Sequence, residues 1–311
     1  MTSADKKISV IIPTHNRKEI LEKTVESLLH QSLPPQANQI MVIDDGSTDG
    51  TEEMIHTHFE RDLGDRIGYW KQPQKGANPA RNWGIQNAKG HIILFINDDT
   101  VPDRDLLEVH LKEHSIFPEE EVAILGHVAW SHDQISTPFL RWLDHGGPQF
   151  IFHEIKGKRE VPWYYFVTAN VSIKKAFVSR MDPFDEDFMA HQDTEFAWRA
   201  HQKGMKLLYN ESALVYHFHP RTFDEMRSRM VLVGEMTRLL VHKHPDLTDH
   251  FKRSLRQRKI VKFAVQALGM NFWNWTCRKM EPRWIVHRLF REVLRCYFLQ
   301  GYHSREQSFG H

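Results

Sequence analysis

Acidic and amide side chains follow directly on an apolar run late in the first third of the chain. Asn97, Asp98 and Asp99 come after residues 92–96, five apolar residues that predict a buried strand. Carboxylates at the end of a strand can hold Mg2+ or Mn2+ through oxygen and leave positions open for phosphate. An Asp-rich turn is the alternative interpretation of these three residues taken alone.

A second polar cluster follows another apolar run. Asp44 and Asp45 open the segment Asp-Asp-Gly-Ser-Thr-Asp, directly after residues 39–43. These residue types suit a tight turn between a strand and a helix, but they could also hold a nucleoside through hydrogen bonds to base and ribose. Two such clusters favour a binding site, since ligands of open α/β sheets bind beyond the carboxyl ends of the strands.

The elements that position these clusters can be predicted from apolar patterns. A helix is indicated by apolar residues at helical spacing between Ile20 and Leu29, stopped by Pro34 and Pro35, and a second helix by residues 79–88. Strands are predicted at residues 8–12, 39–43, 67–70 and 92–96. The pattern is typical of an α/β fold built from β-α-β units.

Several segments, in this order along the chain, resemble those of the family 2 glycosyltransferases. The segments are residues 8–17, 42–49, 80–85, 97–99, 184–186 and 192–196. An ordered set of this kind is more specific than any single motif. The resemblance covers roughly residues 8 to 219. It implies a GT-A type, Rossmann-like mixed sheet flanked by helices, with a C-terminal helical extension.

The resemblance assigns the residues that bind the donor, a nucleotide-sugar with UDP as the default nucleotide. It implies that the nucleobase pocket is bordered by Pro13, Thr14 and Arg17. Asp44, with Asp45 beside it, would contact the nucleoside, and Arg81 would help to hold the nucleotide.

The resemblance also assigns the cation and the chemistry. Asn97, Asp98 and Asp99 match the DxD motif, with Asp99 as the principal ligand of Mn2+ or Mg2+. Asp193 matches the catalytic base, which would take the proton of the acceptor hydroxyl as it attacks the anomeric carbon. His217 is expected to contact the metal or the diphosphate, and His219 is the alternative.

Three further points qualify the predicted site. Asn97 stands where the motif usually has Asp, and Gln192 stands where Glu usually precedes the base. These departures leave open a nucleotide-sugar-binding protein with weak or no catalysis. Asn170, which follows the aromatic residues 163–166, is expected at the acceptor site because aromatic faces stack on sugar rings, although a buried edge strand would have the same pattern.

Composition excludes other classes of protein. The chain has 311 residues, 41% hydrophobic and 26% charged, which is ordinary for a globular protein. Thr14-His15-Asn16 follows the first strand where a dinucleotide-binding enzyme has Gly-x-Gly-x-x-Gly, and the sequence contains no P-loop. With two cysteines, a polar N-terminus and no apolar run near the length that spans a bilayer, we expect a cytoplasmic protein.

Charge divides the chain near residue 220. From Arg221 on there are 18 Lys or Arg against 8 Asp or Glu, a net charge of +10, which leaves −9 for the rest. We expect a catalytic domain at 1–220 and a basic, mainly helical region at 221–311. Its cations between Lys252 and Lys262, interleaved with apolar residues, would suit an anionic membrane surface and a glycan or lipid-linked acceptor. A solvated helix face is the alternative, and nucleic acid is not an expected partner although the basic tail leaves it open.

Overall fold

The computed structural model describes residues 6–131, 138–146, 150–219, 221–255 and 284–304. The chain divides into two compact units. The first consists of Met1–Ser131, Glu154–Asp187 and Gln192–His219. The second consists of His132–His153, Phe188–His191 and Pro220–His311. The second unit thus takes in two internal segments besides the chain from residue 220 on.

A mixed sheet forms the centre of the first unit. Its strands, within the described residues, are β1 (Ile8–Thr14), β2 (Asn38–Asp44), β3 (Ile67–Lys71), β4 (Ile92–Ile96), β5 (Thr100–Pro102), β6 (Val122–Trp130), β7 (Glu160–Val161), β8 (Asn170–Lys174) and β9 (Lys206–His217). The order is β3-β2-β1-β4-β8-β6-β9-β5, and β7 pairs with β9. Strands β1 to β4 are parallel, whereas β8 is antiparallel to both β4 and β6.

Helices accompany this sheet in the first unit and make up most of the described second unit. Those of the first unit are α1 (Lys18–Leu29), α2 (Thr51–His58), α3 (Ala77–Asn87), α4 (Leu106–Ile116), α6 (Lys175–Val178) and α7 (Gln192–Gln202). Those of the second are α5 (Pro138–Gly146), α8 (Phe223–Lys243), α9 (Thr248–Leu255) and α10 (Trp284–Tyr302). The predicted α/β fold with a mixed sheet flanked by helices is confirmed.

The parallel strands form where the sequence has continuous apolar runs, because both faces of these strands are covered. All seven residues of β2 and all five of β4 are buried. Helix α1 buries Leu21, Val25 and Leu28 along one face, as its spacing predicts. Helix α3 begins at Ala77, two residues before the predicted start, because Gly76 has a φ of 98° and ends the preceding loop.

The described part of the second unit is held by close helix packing. Helix α8 begins with a capping box in which Thr222 and Glu225 bond each other's backbone amides. Glycines allow α8 and α10 to approach, since a Cβ at Gly234 would lie 2.0 Å from the carbonyl oxygen of Phe298. Helix α10 lies in the C-terminal region that the sequence predicts to be mainly helical. Most of the predicted membrane-binding cations, those from residue 256 to residue 262, lie outside the described residues.

Candidate active site

Two polar clusters meet at the carboxyl edge of the parallel strands. Strand β1 pairs in parallel with both β2 and β4, so the three strands end side by side. Thr14 at the end of β1 is paired in register with Asp44 at the end of β2. Its hydroxyl donates to Asp98 Oδ2 over 2.9 Å. The sheet thus brings together the Asp44 and Asp98 clusters that the sequence places far apart.

The carboxylates of Asp44 and Asp45 are both engaged by the surrounding loops. Asp44 is fully buried and accepts from the Ser47 amide at 2.7 Å and the Tyr69 hydroxyl at 2.5 Å. Burial, together with the bond to Asp44, raises the pKa of Tyr69, which keeps this hydroxyl a donor. Asp45 accepts from the backbone amides of Lys75 and Gly76 at 2.8 and 2.7 Å.

These bonds give Asp45 an anchoring role that the sequence did not indicate. It also accepts from Gln72 Nε2 at 2.7 Å, so the loop leading into α3 is tied to the end of β2. Tyr69 and Gln72 are two side chains that the sequence patterns did not indicate. Their position at the end of β3, next to β2 in the sheet, is the signal that could have found them.

Arg17 lies on the two carboxylates that follow β4. Its Nη1 donates to Asp98 Oδ1 at 2.9 Å and also to Asp99 Oδ2. The guanidinium is about one-third exposed, whereas the side chains of Asp98 and Asp99 are buried. Arg17 therefore supplies the positive charge that two adjacent buried carboxylates require. The resemblance implied a place beside the nucleobase, and the described contacts of the side chain are with the carboxylates instead.

Asp98 and Asp99 differ in their electrostatic surroundings. Burial raises the pKa of Asp98 to about 6, against the opposing charge of Arg17. Burial acts in the same direction on Asp99, but the charges of His217 and Arg17 outweigh it and hold the pKa of Asp99 below its usual value. Asp99 is thus more readily ionised than Asp98.

The other oxygen of Asp99 faces His217. Asp99 Oδ1 lies 3.5 Å from His217 Nε2, and both side chains are buried. Asp99 Oδ1 makes no hydrogen bond to any residue that the structure describes. The ring of Trp130 packs edge-on against the imidazole, with centroids 4.8 Å apart, and fixes its plane. A buried carboxylate oxygen without a donor beside an imidazole nitrogen fits a divalent cation.

The protein supplies only part of the ligand set for such a cation. Within the described ranges, no group of three or more His, Cys, Asp or Glu side chains is arranged to hold a metal ion. Mg2+ and Mn2+ bind about six ligands, usually including water and substrate phosphates. Asp99 and His217 could hold the cation only together with such outside ligands. His219 follows β9 and is half-buried.

Arg81 is a buried cation within electrostatic reach of both Asp98 and Asp193. Burial lowers its pKa, and the charges of Asp193 and Asp98 oppose that effect. Its Nη1 donates to Asn78 Oδ1 at 3.1 Å, and its Nε makes no hydrogen bond within the described residues. A buried guanidinium with an unused donor is suited to an anionic ligand.

Asp193 stands in the first turn of α7 and is oriented by one residue. Thr168 donates its hydroxyl to Asp193 Oδ1 at 2.8 Å and its backbone amide to Oδ2 at 3.2 Å. The Asp193 side chain is half-buried, so part of it is open to solvent. His191, two residues earlier, has a φ of 62°, which sets the abrupt start of the helix. The geometry leaves a positioned carboxylate that can accept a proton.

Asn170 does not face an open acceptor site, and the acceptor role expected for it is not supported. The residue is fully buried. Its amide nitrogen donates to the backbone oxygens of His127 and Ala213, at 3.0 and 2.8 Å. These carbonyls flank the irregularity in the β6 to β9 pairing, where Gly126 leaves room for the amide. Asn170 therefore donates hydrogen bonds to backbone carbonyls at a bulge in the sheet.

A directional hydrogen-bond chain runs from Asn170 along one face of β8. Asn170 Oδ1 can only accept, so His110 Nε2 donates to it at 3.0 Å. The neutral His110 then accepts at Nδ1 from Ser172 Oγ, which in turn accepts from His114 Nε2. His114 Nδ1 accepts from Lys174 Nζ at 3.2 Å. Burial lowers the pKa of His110 to about 4 and that of His114 to about 3, so both imidazoles are neutral.

The remaining predicted positions are partly exposed or packed. Pro13 and Asn97 are half-buried at the carboxyl edge of the sheet. Of the aromatic run at residues 163–166, Tyr165 and Phe166 are buried, whereas Tyr164 is 42% exposed. Trp163 packs on Trp198 of α7, with ring centroids 5.3 Å apart. The run therefore serves mainly to pack α7, the helix that carries Asp193.

Comparison with known proteins finds similarity to glycosyltransferases. Residues 9–158 match the family profile described as glycosyl transferase family 2. The chain is 26% identical over 311 residues to a validoxylamine A glucosyltransferase of Streptomyces hygroscopicus subsp. limoneus, covering 86% of this chain and 63% of that protein. It is 27% identical to the glycosyltransferase AglE of Haloferax volcanii, over 76% of this chain and 74% of AglE. The chain thus spans less than two thirds of the first relative's length.

Solved structures share the fold. The mannosyltransferase PcManGT from Pyrobaculum calidifontis, in complex with GDP-Man and Mn2+, aligns with a TM-score of 0.63 and 16% identity, over 96% of this chain and 88% of that one. S. aureus TarS 1-349 in complex with UDP aligns with a TM-score of 0.57 and 17% identity, over 96% and 92% of the two chains.

Proposed function

We propose that the chain is a family 2 glycosyltransferase, as the match of residues 9–158 supports, and that it transfers a sugar from a nucleotide-sugar to a hydroxyl group of an acceptor. The observation that carries the proposal is the convergence of Asp99, Arg81 and Asp193 at one edge of the sheet. Arg81, a buried cation, is within electrostatic reach of Asp98 and Asp193. Cation, anion-binding arginine and base are the three parts that such a transfer needs.

In this proposal Asp193 is the general base. The acceptor oxygen attacks the anomeric carbon as the bond from that carbon to the donor phosphate breaks, and the hydroxyl proton passes to Asp193. A single displacement of this kind inverts the anomeric centre. Thr168 orients the carboxylate through its two bonds to Asp193. Because Asp193 is only half-buried, an acceptor hydroxyl can reach it.

The leaving nucleoside diphosphate would be held at the carboxyl ends of β1, β2 and β4. Arg81 would bind the diphosphate, and Asp99 with His217 would hold Mn2+ or Mg2+. When bound, the cation would neutralise the negative charge that develops on the diphosphate. Imidazole is a softer ligand than carboxylate, so His217 favours Mn2+ over Mg2+. Asp44 is proposed as the nucleoside contact, with Tyr69 holding its carboxylate in place.

A UDP-sugar is the first donor to test, and a GDP-sugar the second. TarS has been solved with UDP and UDP-GlcNAc, and PcManGT with GDP-Man. The acceptor is proposed to be a glycan or a lipid-linked sugar. Within the described residues no helix is both long and apolar enough to span a bilayer. Peripheral binding of the basic C-terminal region to anionic lipid stays a prediction, which co-sedimentation with phosphatidylglycerol vesicles would test.

The donor can be found by a thermal-shift screen of UDP-, GDP- and dTDP-sugars with Mn2+ or with EDTA. A ligand that binds only the folded protein raises the unfolding temperature. We expect one nucleotide class to do so more strongly with Mn2+, and we expect Asp99→Asn and His217→Ala to lose that Mn2+-dependent part. Asp65→Asn is the matched control, because Asp65 is an exposed carboxylate just before β3, at the amino ends of the parallel strands. Equal Mn2+ dependence in all four proteins would contradict the cation site.

A nucleotide-sugar-binding protein without catalysis is the second candidate. It is favoured by Asn97 and Gln192, which stand where the family motifs usually carry Asp and Glu. Mass spectrometry of the donor, incubated with the wild-type chain and candidate acceptors, separates the two. Release of nucleoside diphosphate supports the enzyme, whereas donor binding without release supports the second candidate.

A further inference from the structure

Arg17 and the candidate cation site share one carboxylate. Arg17 Nη1 donates to Asp99 Oδ2, while Asp99 Oδ1 faces His217 Nε2 at 3.5 Å. The same nitrogen also donates to Asp98 Oδ1 at 2.9 Å, so the guanidinium is anchored at two points. Anchoring of Oδ2 fixes the plane of the Asp99 carboxylate and leaves Oδ1 as the oxygen directed at His217.

This arrangement places a fixed positive charge beside any cation that binds at Oδ1. Asp99 and His217 are buried to 3% and 2% exposure, so water screens the repulsion between the two positive charges poorly. Within the described residues, no group of three or more His, Cys, Asp or Glu side chains is arranged to hold the cation, so Asp99 and His217 need further ligands from outside the protein. Both features weaken the binding of a cation on its own.

A bound nucleoside diphosphate would remove both obstacles. Its phosphate oxygens supply further ligands, and its negative charge compensates the combined charge of Arg17 and the cation. A cation and a nucleotide that need each other in this way bind cooperatively, and the coupling must be the same from either side.

We propose that Arg17 makes cation binding depend on the nucleotide. It is a positioning residue that acts through Asp99: it aims Oδ1 at His217 and, by its charge, disfavours the cation until a diphosphate is present. The proposal rests on the proposed function, because it assumes the nucleotide and cation of that reaction. It also replaces the role beside the nucleobase that the resemblance implied for Arg17.

The test is a titration of Mn2+ followed by the electron paramagnetic resonance signal of free Mn2+, with and without UDP, and with GDP in parallel. For the wild-type chain we expect weak binding of Mn2+ alone and binding at least about fivefold tighter with the matching nucleotide, the lower end of usual coupling. Arg17→Gln removes the charge and keeps a hydrogen-bonding amide. It should bind Mn2+ alone more tightly than the wild type, with a smaller effect of the nucleotide.

Arg17→Lys and Asp99→Asn are the controls. Lys keeps the positive charge, so Arg17→Lys should retain most of the nucleotide dependence, whereas Asp99→Asn should lose Mn2+ in both conditions. Circular dichroism verifies that each variant is folded. The proposal is overturned if Arg17→Gln binds Mn2+ alone no more tightly than the wild type, or if Lys and Gln behave alike.

If Arg17→Gln does not fold, titration of the wild-type chain with Mn2+ still tests the proposal. Binding of Mn2+ that is equally tight with and without nucleotide contradicts the proposal for Arg17 and leaves the proposed function intact. If the wild type does not bind Mn2+ in the presence of either nucleotide, the proposed function itself must be revised to exclude the cation. The two failures are therefore distinguishable.

Discussion

At the scale of single residues, the carboxylates of the site differ in the partners that their two oxygens contact. Asp99 presents one oxygen to Arg17 and the other to His217, and Asp193 presents both to Thr168. Asp45 uses its oxygens to hold the loop before α3. Residues of one chemical type therefore have different tasks, set by which neighbours the sheet brings to them.

Replacing Asn170 tests its assignment to the fold. Asn170→Ala removes the amide donor to the backbone carbonyls of His127 and Ala213 and the acceptor of His110 Nε2, and each unsatisfied buried group costs about 1–3 kcal/mol. We expect a loss of a few kcal/mol in the free energy of unfolding, measured by urea titration. Nucleotide binding by the folded fraction should be unchanged. A variant as stable as the wild type, but with a raised KM for acceptor, would restore the acceptor role.

Most of the candidate site follows from the sequence because strand ends can be read from apolar runs. Asp98 and Asp99 follow such a run, and the parallel order of the strands brings them to Asp44. Asn170 does not fit the acceptor role expected of it, although the sequence contains a pattern that indicates its buried position. Asn170, Ser172 and Lys174 alternate with Val171 and Ile173, which predicts a polar layer on one face of a strand. The place of Arg17 could not be predicted, since the contact depends on side-chain packing.

At the scale of elements, helix α4 is attached to strand β8 by buried neutral histidines. His110 and His114 on α4 alternate with Ser172 and Asn170 in the chain of hydrogen bonds. Each hydrogen in the chain has an acceptor only while both imidazoles are neutral. A proton added to either one would place two donors face to face.

This chain predicts acid sensitivity. The ordinary pKa of His is 6.5, and burial lowers that of folded His110 to about 4. Between these values the unfolded chain binds more protons than the folded one, so stability is full above pH 6.5 and is lost as the pH falls towards 4. Urea unfolding near neutrality and at about pH 5 measures the loss. His110→Gln should be less stable near neutrality and lose less on acidification, and an equal loss in both proteins would contradict this account.

At the contact between α8 and α10, replacing glycine with alanine is expected to destabilise the protein, although alanine has the higher helix propensity. Alanine in a helix interior is favoured over glycine by about 1 kcal/mol. At Gly234, however, a Cβ would lie 2.0 Å from the carbonyl oxygen of Phe298, and overpacking costs about 1–3 kcal/mol. We expect Gly234→Ala to lower the unfolding temperature. Ser228→Ala, an exposed site on α8, is the matched control and should be neutral or stabilising.

Elements were predicted best where local pattern and packing agree. The four parallel strands and α1 were predicted within two residues of their ends. Strands β5 and β7 have three and two residues and exist through their pairing with β9, which no local pattern specifies. The start of α7 depends on the left-handed conformation of His191, which sequence patterns do not reveal.

At the scale of the whole molecule, charge is distributed unevenly. All residues of the candidate site belong to the first unit. The chain up to residue 220 carries a net charge of −9, so an anionic donor must be held by local cations. Arg17, Arg81 and the proposed metal ion would supply positive charge at the carboxyl edge. The net charge of +10 from Arg221 on is available for a separate task, and anionic lipid is the partner that we propose.

The proposed role of Asp193 as the general base can be tested by measuring the rate of sugar transfer by Asp193→Asn. With the donor identified by the thermal-shift screen and Mn2+ present, a positioned base is worth about 10²- to 10⁴-fold in rate. We expect the wild-type chain to transfer the sugar and the variant to lose about this factor in rate while it binds nucleotide and Mn2+ as before. Transfer by Asp193→Asn at the wild-type rate, with the acceptor hydroxyl still the nucleophile, would contradict this role.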